Sequence, residues 1–274
     1  MNLPSDVRHS ATFEPEKKKR TTEVRHKKRK RKGGLLKKLK QAVVLFIIGY
    51  VGFMVYYTFS KPYTIALDPG HGGWDVGAEG IIQEVELTER TVAELEELLK
   101  EDGRFRIVLS RKAGEGMEIT ERNQKFQKKH PDLMLSVHGN ANDENGANGF
   151  ECYPSPPGRA NHEESLVFAE MLAQEMQTAG AKLRGKGVEG VRFGYYRNGE
   201  KMLVDSSDTK VYELGTFGML ENMDCPAVLA EQCFVTNAAD VDAFGDEDGC
   251  KKAAKAYYDA ICRYVEHMEI TENT

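Results

Sequence analysis

Four residues stand out for the chemistry they could do together. His71 lies within Asp-Pro-Gly-His-Gly-Gly, Glu84 follows it by thirteen residues, His138 opens His-Gly-Asn, and Glu231 follows the apolar run 226–230. Two imidazoles and one carboxylate form a donor set for a catalytic zinc, which takes three protein ligands and keeps a fourth position for water. His71, Glu84 and His138 are the candidate ligands, and Glu231 then remains as the general base. Each has a plainer reading. A histidine in a Gly-rich loop serves as a turn residue, and Glu84 would suit the N-terminus of a helix on the dipole alone. Glu86 is as good a ligand as Glu84 on spacing, and Glu231 could be a buried, ion-paired carboxylate.

The elements that must position these groups alternate along the chain. Apolar strands are predicted over 63–67, 106–109, 133–137 and 226–230, and helices over 84–100, 119–129, 166–177 and 248–266. A further edge strand over 149–153 is stopped by Pro154, Pro156 and Pro157. This alternation predicts an α/β fold, a single domain with a mostly parallel sheet flanked by helices on both faces. In open sheets of this class, ligands bind beyond the carboxyl ends of the strands. His71 follows the first strand, Arg111 the second and His138 the third, while Glu231 ends the last. The stretch 185–211 breaks the alternation and reads as a hairpin insertion turning at Asn198-Gly199.

An ordered series of motifs carries a family resemblance. IALDPGHGGWDVGAEG, QEVELT, LSR, ERN, LMLSVHGNAN, NGFECY and PAVLAEQCFVTN occur in that order between Ile65 and Asn237. Together they resemble the zinc-dependent N-acetylmuramoyl-L-alanine amidases of the Amidase_3 family, over 63 to about 265. The resemblance implies that His71, Glu84 and His138 bind Zn2+, that Glu84 is preferred to Glu86, and that Glu231 is catalytic. It implies peptidoglycan as the substrate, cut by zinc-activated water at the amide between N-acetylmuramic acid and L-alanine of the stem peptide. Two departures are visible. Cys233 stands where the family usually has Gly, a change read as packing, and Gly139 replaces the usual Ala.

Around these four, Arg111 and Arg122 are candidates to bind stem-peptide carboxylates as planar forks, or else are structural ion-pair partners. Asn140 is a candidate to contact substrate or to orient His138. Asp68 reads as a loop-stabilising carboxylate, Trp74 as a groove residue, and Phe193, Tyr195 and Tyr196 as packing within the insertion.

The N-terminal part is of a different character. Residues 1–41 hold fifteen Lys and Arg against four Asp and Glu, a net of +11 that leaves −16 for the rest of a chain with an overall −5. Such an arm buries too little to fold alone and reads as disordered. The charge-free run 42–59 follows it, about 27 Å long as a helix, and reads as a single-pass transmembrane anchor. The arm would then be cytoplasmic, lying against anionic lipid head groups rather than nucleic acid. The catalytic domain, 60–274, would be extracytoplasmic. Five cysteines without a CxxC pair argue against a disulfide framework or a thiolate zinc site. The competing functions are a non-catalytic peptidoglycan-binding relative, a zinc peptidase acting on stem peptides, and a membrane-tethered adaptor.

Overall fold

A sheet of five strands carries the second of two units into which the chain divides, residues 62–274. The computed structural model describes residues 20–59, 62–142, 146–185 and 189–272, at 20–33, 55–59 and 272 by their backbone only. The strands β1 (Tyr63–Pro69), β2 (Phe105–Leu109), β3 (Leu133–Asn140), β4 (Glu151–Pro154) and β7 (Ala227–Phe234) lie in the order β2-β1-β3-β7-β4. All neighbours are parallel except β4, which runs antiparallel to β7 at one edge. The sheet is thus mixed, its parallel part as the alternation implies and its antiparallel strand at the edge where proline stops it.

Alternation along the strands divides the interior into two cores. Ile65, Leu67, Leu133, Leu135, Val228 and Ala230 pack with the helices α2 (Glu84–Asp102), α4 (His162–Thr178) and α6 (Glu247–Glu272). The helix α6 presents Ala253, Ala256, Ala260 and Tyr257 from one stripe, and the small alanines let it lie close against α2 and α4. On the opposite face Ala66, Met134 and Leu229 pack with Phe126 of α3 (Ile119–Gln127) and with Phe217, Met219 and Met223.

Three details were not visible in the sequence pattern. The last strand continues three residues past Glu231, paired with β3 through Asn140 and Phe234, and the buried Gln232 within it donates from Nε2 to Phe244 O at 2.6 Å. Beside it the β3–β7 register slips between His138 and Asn140, a bulge that re-aims side chains at the rim. A short helix, α5 (Ala238–Phe244), is capped by the Asn237 side chain accepting from Ala239 N and Asp240 N. At seven residues it is too short to show a period. The strands β5 (Arg192–Arg197) and β6 (Glu200–Asp205) form a separate hairpin around Asn198 and Gly199, both with positive φ.

Among its described residues the other unit contains one helix, α1 (Arg20–Phe59). Residues 1–19 of the basic arm lie outside the described residues, and from Arg20 the arm is helical instead of disordered. The transmembrane anchor expected over 42–59 needs correction. Among the described residues, no helix is long and apolar enough to cross a membrane. The part of that expectation over 55–59 falls outside the described side chains.

Candidate metal centre

The loop after β1 is shaped around its polar groups. His71 itself takes a left-handed φ of 62°, a conformation that costs energy in a residue with a side chain. It is held from several sides. Arg122 Nη2 donates to His71 O at 2.5 Å, and Arg111 Nη2 donates to Gly70 O at 2.9 Å. Glycine is required at two points of this loop. A Cβ on Gly70 would come within 2.5 Å of the His138 ring, and one on Gly77 would meet both His71 and Glu84 at 2.6 Å.

Within this cradle three donors converge. His71 Nε2 lies 3.0 Å from Glu84 Oε1, and His138 Nδ1 reaches the same oxygen at 2.9 Å. The ligand atoms of His71, Glu84 and His138 all lie within 4.8 Å of one another. Backbone N–H groups complete the carboxylate, Gly139 N donating to Oε1 at 3.0 Å and Ala78 N to Oε2 at 2.9 Å. The opposite nitrogen of His71, Nδ1, is taken by Asp75 Oδ2 at 2.8 Å, which directs Nε2 inward. Glu86 is exposed and pairs with Arg90 at 3.4 Å, so it faces away from the cluster.

The electrostatics follow from this crowding. Burial opposes charge on His71, but Glu84 and Asp75 outweigh it and push the imidazole up to about 9. Burial likewise works against the Glu84 charge, yet the two imidazoles hold its carboxyl well below the usual range. Two imidazole nitrogens and one carboxylate oxygen suit a zinc ion. The glycines at 70 and 77 leave that space free of side chains, so the residues fit the metal.

Glu231 pairs across β3–β7 with His138 and is 7% exposed. Burial pushes its carboxyl up to about 6, with His138 and Lys201 opposing. Its Oε2 has no hydrogen-bond partner among the described residues. His71, Glu84, His138 and Glu231 line one cavity of about 390 Å³, with Asn140 at its wall.

The remaining candidates are placed as follows. Arg111 is fully buried and its nitrogens donate to Pro69 O, Gly70 O, Lys112 O and Glu89. Every nitrogen of Arg122 also donates, to Met117 O, Asp68, Pro69 O and His71 O. Both arginines thus pin the loop that carries His71, and their forks are spent on the protein. Asn140 donates to Glu151 Oε1 at 2.6 Å and accepts from Ala141 N at 2.9 Å. Asp68 accepts from Ser110, Ser136 and Arg122 in the interior, a loop-stabilising carboxylate. Cys233 is 1% exposed and belongs to the helical core. Trp74 is 72% exposed and lines an adjoining cavity of about 140 Å³. Phe193 and Tyr195 are buried, whereas Tyr196 reaches the wall of the larger cavity.

Two residues were missed in the sequence. Asp75 could have been found, since a metal-binding imidazole needs a partner for its second nitrogen and Asp75 lies four residues on. Lys201 gave no signal, because only the hairpin brings it beside Glu231 Oε1, at 3.9 Å.

The N-acetylmuramoyl-L-alanine amidase family model, Amidase_3, matches residues 65–263. The probable amidase AmiB of Haemophilus influenzae is 27% identical over 81% of the chain and 56% of its own length. The amidase LytC of Bacillus subtilis is 31% identical over 73% of the chain and 35% of its own length. The chain therefore spans about half, or less, of these relatives. The catalytic domain of the amidase CwlV from Bacillus (Paenibacillus) polymyxa superposes with a TM-score of 0.60 at 24% identity, covering 74% of the chain and 98% of that domain. That likeness speaks to the fold alone. With the family model matched across nearly the whole of its second unit, the chain belongs to the Amidase_3 family of N-acetylmuramoyl-L-alanine amidases.

Proposed function

We propose that the chain is a zinc-dependent amidase that hydrolyses the amide between N-acetylmuramic acid and L-alanine in peptidoglycan. Peptidoglycan lies outside the cytoplasmic membrane, so the catalytic unit would work there. The observation that carries the reading is the meeting of His71, Glu84 and His138 within 4.8 Å in the cavity that Glu231 also lines.

His71, Glu84 and His138 would hold the zinc, and Asp75 would orient His71 from behind. When bound, the metal would supply Lewis acidity, lowering the pKa of water towards about 7 and polarising the amide carbonyl. Glu231 accepts a proton from the attacking water as the new C–O bond forms at the lactyl carbonyl. It then delivers that proton to the L-alanine nitrogen as the C–N bond breaks. A carboxylate raised by burial is a better base than an ordinary one, because the best proton acceptor lies near the working pH. Burial also keeps competing water away from that proton.

The test is a digest of defined muropeptides by the zinc-loaded chain, read for new L-alanine amino termini, together with metal analysis. About one zinc per chain and release of intact stem peptides are expected. Free stem amino acids without new L-alanine termini would indicate a peptidase, and absence of cleavage in the metal-loaded protein a binding relative.

A further inference from the structure

The cavity contains a cation supplied from outside the sheet. Lys201 stands on β6, and among the described residues lining the cavity it is the one Lys or Arg. Its Nζ lies over the rings of Phe217 and Tyr153, at 4.9 and 5.5 Å from their centroids. The aromatic faces attract the ammonium and fix its direction. The hairpin is itself fastened down. Thr216 Oγ1 donates to Gly194 O at 2.8 Å, and Tyr196 N donates to Gly215 O at 2.8 Å. Gly194 has to be glycine, since a Cβ there would come within 2.1 Å of the Phe217 ring.

Lys201 is nevertheless not consumed by the protein. Its ion pair with Glu231 Oε1 spans 3.9 Å, too long for a hydrogen bond, and its side chain is 39% exposed. Arg111 and Arg122, by contrast, have no nitrogen that is not already donating. Among the described residues lining the cavity, Lys201 is therefore the Lys or Arg left to meet an anionic group.

On the amidase reading, which this inference rests on, the leaving group is L-alanine at the head of a stem peptide. The next residue is a D-glutamate joined through its side chain, whose α-carboxyl is either free or amidated. In an extended chain this group lies on the order of 5–7 Å from the scissile nitrogen. A lysine beside the base can meet it there. We propose that Lys201 receives this α-carboxylate, so that the site selects stems whose second residue is acidic over those in which it is amidated.

The test uses the full zinc-loaded chain and two synthetic muramyl peptides that differ only in carboxylate or carboxamide at that position. The wild type is expected to prefer the acidic peptide in kcat/KM by roughly tenfold or more, the range for a hydrogen bond to a charged group. In Lys201→Met that preference should fall to within about twofold of unity, with the change carried in KM. Lys201→Arg should keep most of it. No preference in the wild type overturns the proposal. Equal losses on both peptides in Lys201→Met also overturn it, and assign the lysine to the carbonyl oxygen or to Glu231 instead. If the wild type frees no L-alanine terminus from either peptide, the amidase reading falls and this inference with it.

Discussion

Asp75 Oδ2 sits 2.8 Å from His71 Nδ1, and this contact decides which nitrogen of His71 faces Glu84. A ligand held from behind needs no reorganisation on binding. Asp75→Ala should therefore weaken zinc affinity by roughly 10–100-fold, the usual cost of losing an outer partner, while the fold persists. Competition with a chromogenic chelator measures it, and unchanged affinity would remove the orienting role.

Glu231 and Glu84 separate chemistry from binding. Glu231→Gln should retain zinc and melting temperature but lose amidase activity by roughly two to four orders of magnitude. Glu84→Gln should lose zinc, with part of the activity returning in excess metal. Because Glu231 must be ionised to act and stands at about 6 in the metal-free protein, the acid limb of kcat/KM should lie at or below that value. The metal's positive charge can only lower it. A Glu231→Gln variant that cleaves normally would sink the mechanism.

The raised imidazole of His71 makes the metal-free protein sensitive to alkali. Its value is about 9, against 6.5 for an ordinary imidazole. A raised folded-state value stabilises the fold fully below 6.5 and is lost as pH climbs through 9. In chelator, the melting temperature should fall across that window. Zinc binding at pH 7 should release about one proton, because the ligand is neutral imidazole. Titration calorimetry in buffers of different ionisation enthalpy counts the protons, and none released would refute the assignment.

Arg122 is expected to act through stability and not through substrate affinity. Removing it leaves Asp68 buried and short of its ion-pair partner. Arg122→Met should destabilise the unit by about 3–5 kcal/mol and loosen the His71 carbonyl. Urea melts read the first effect. A rise in KM for stem peptides with unchanged stability would instead restore Arg122 as a substrate residue.

How much of this was legible in advance depends on the range of the interaction. Strand and helix periods are local, so the parallel sheet could be read from runs such as 63–67 and 133–137, and the motifs at its rim pointed to His71, Glu84, His138 and Glu231. The choice between Glu84 and Glu86 is one of helix face, and spacing alone left it open until burial placed Glu84 inward and Glu86 in solvent. The charge-free run 42–59 was legible as composition, but composition alone does not establish a helix that meets the length and apolarity of a membrane span.

Only the tertiary structure decided which charges are free. Arg111 and Arg122 read in one dimension either as substrate forks or as structural ion-pair partners, because nothing nearby in sequence shows that both donate to backbone carbonyls of the distant loop 69–71. Lys201 looks like an ordinary hairpin lysine until β6 sets it 3.9 Å from Glu231. A residue's type states what it can donate or accept. Whether that capacity is already satisfied depends on partners dozens of positions away, and packing alone brings them together.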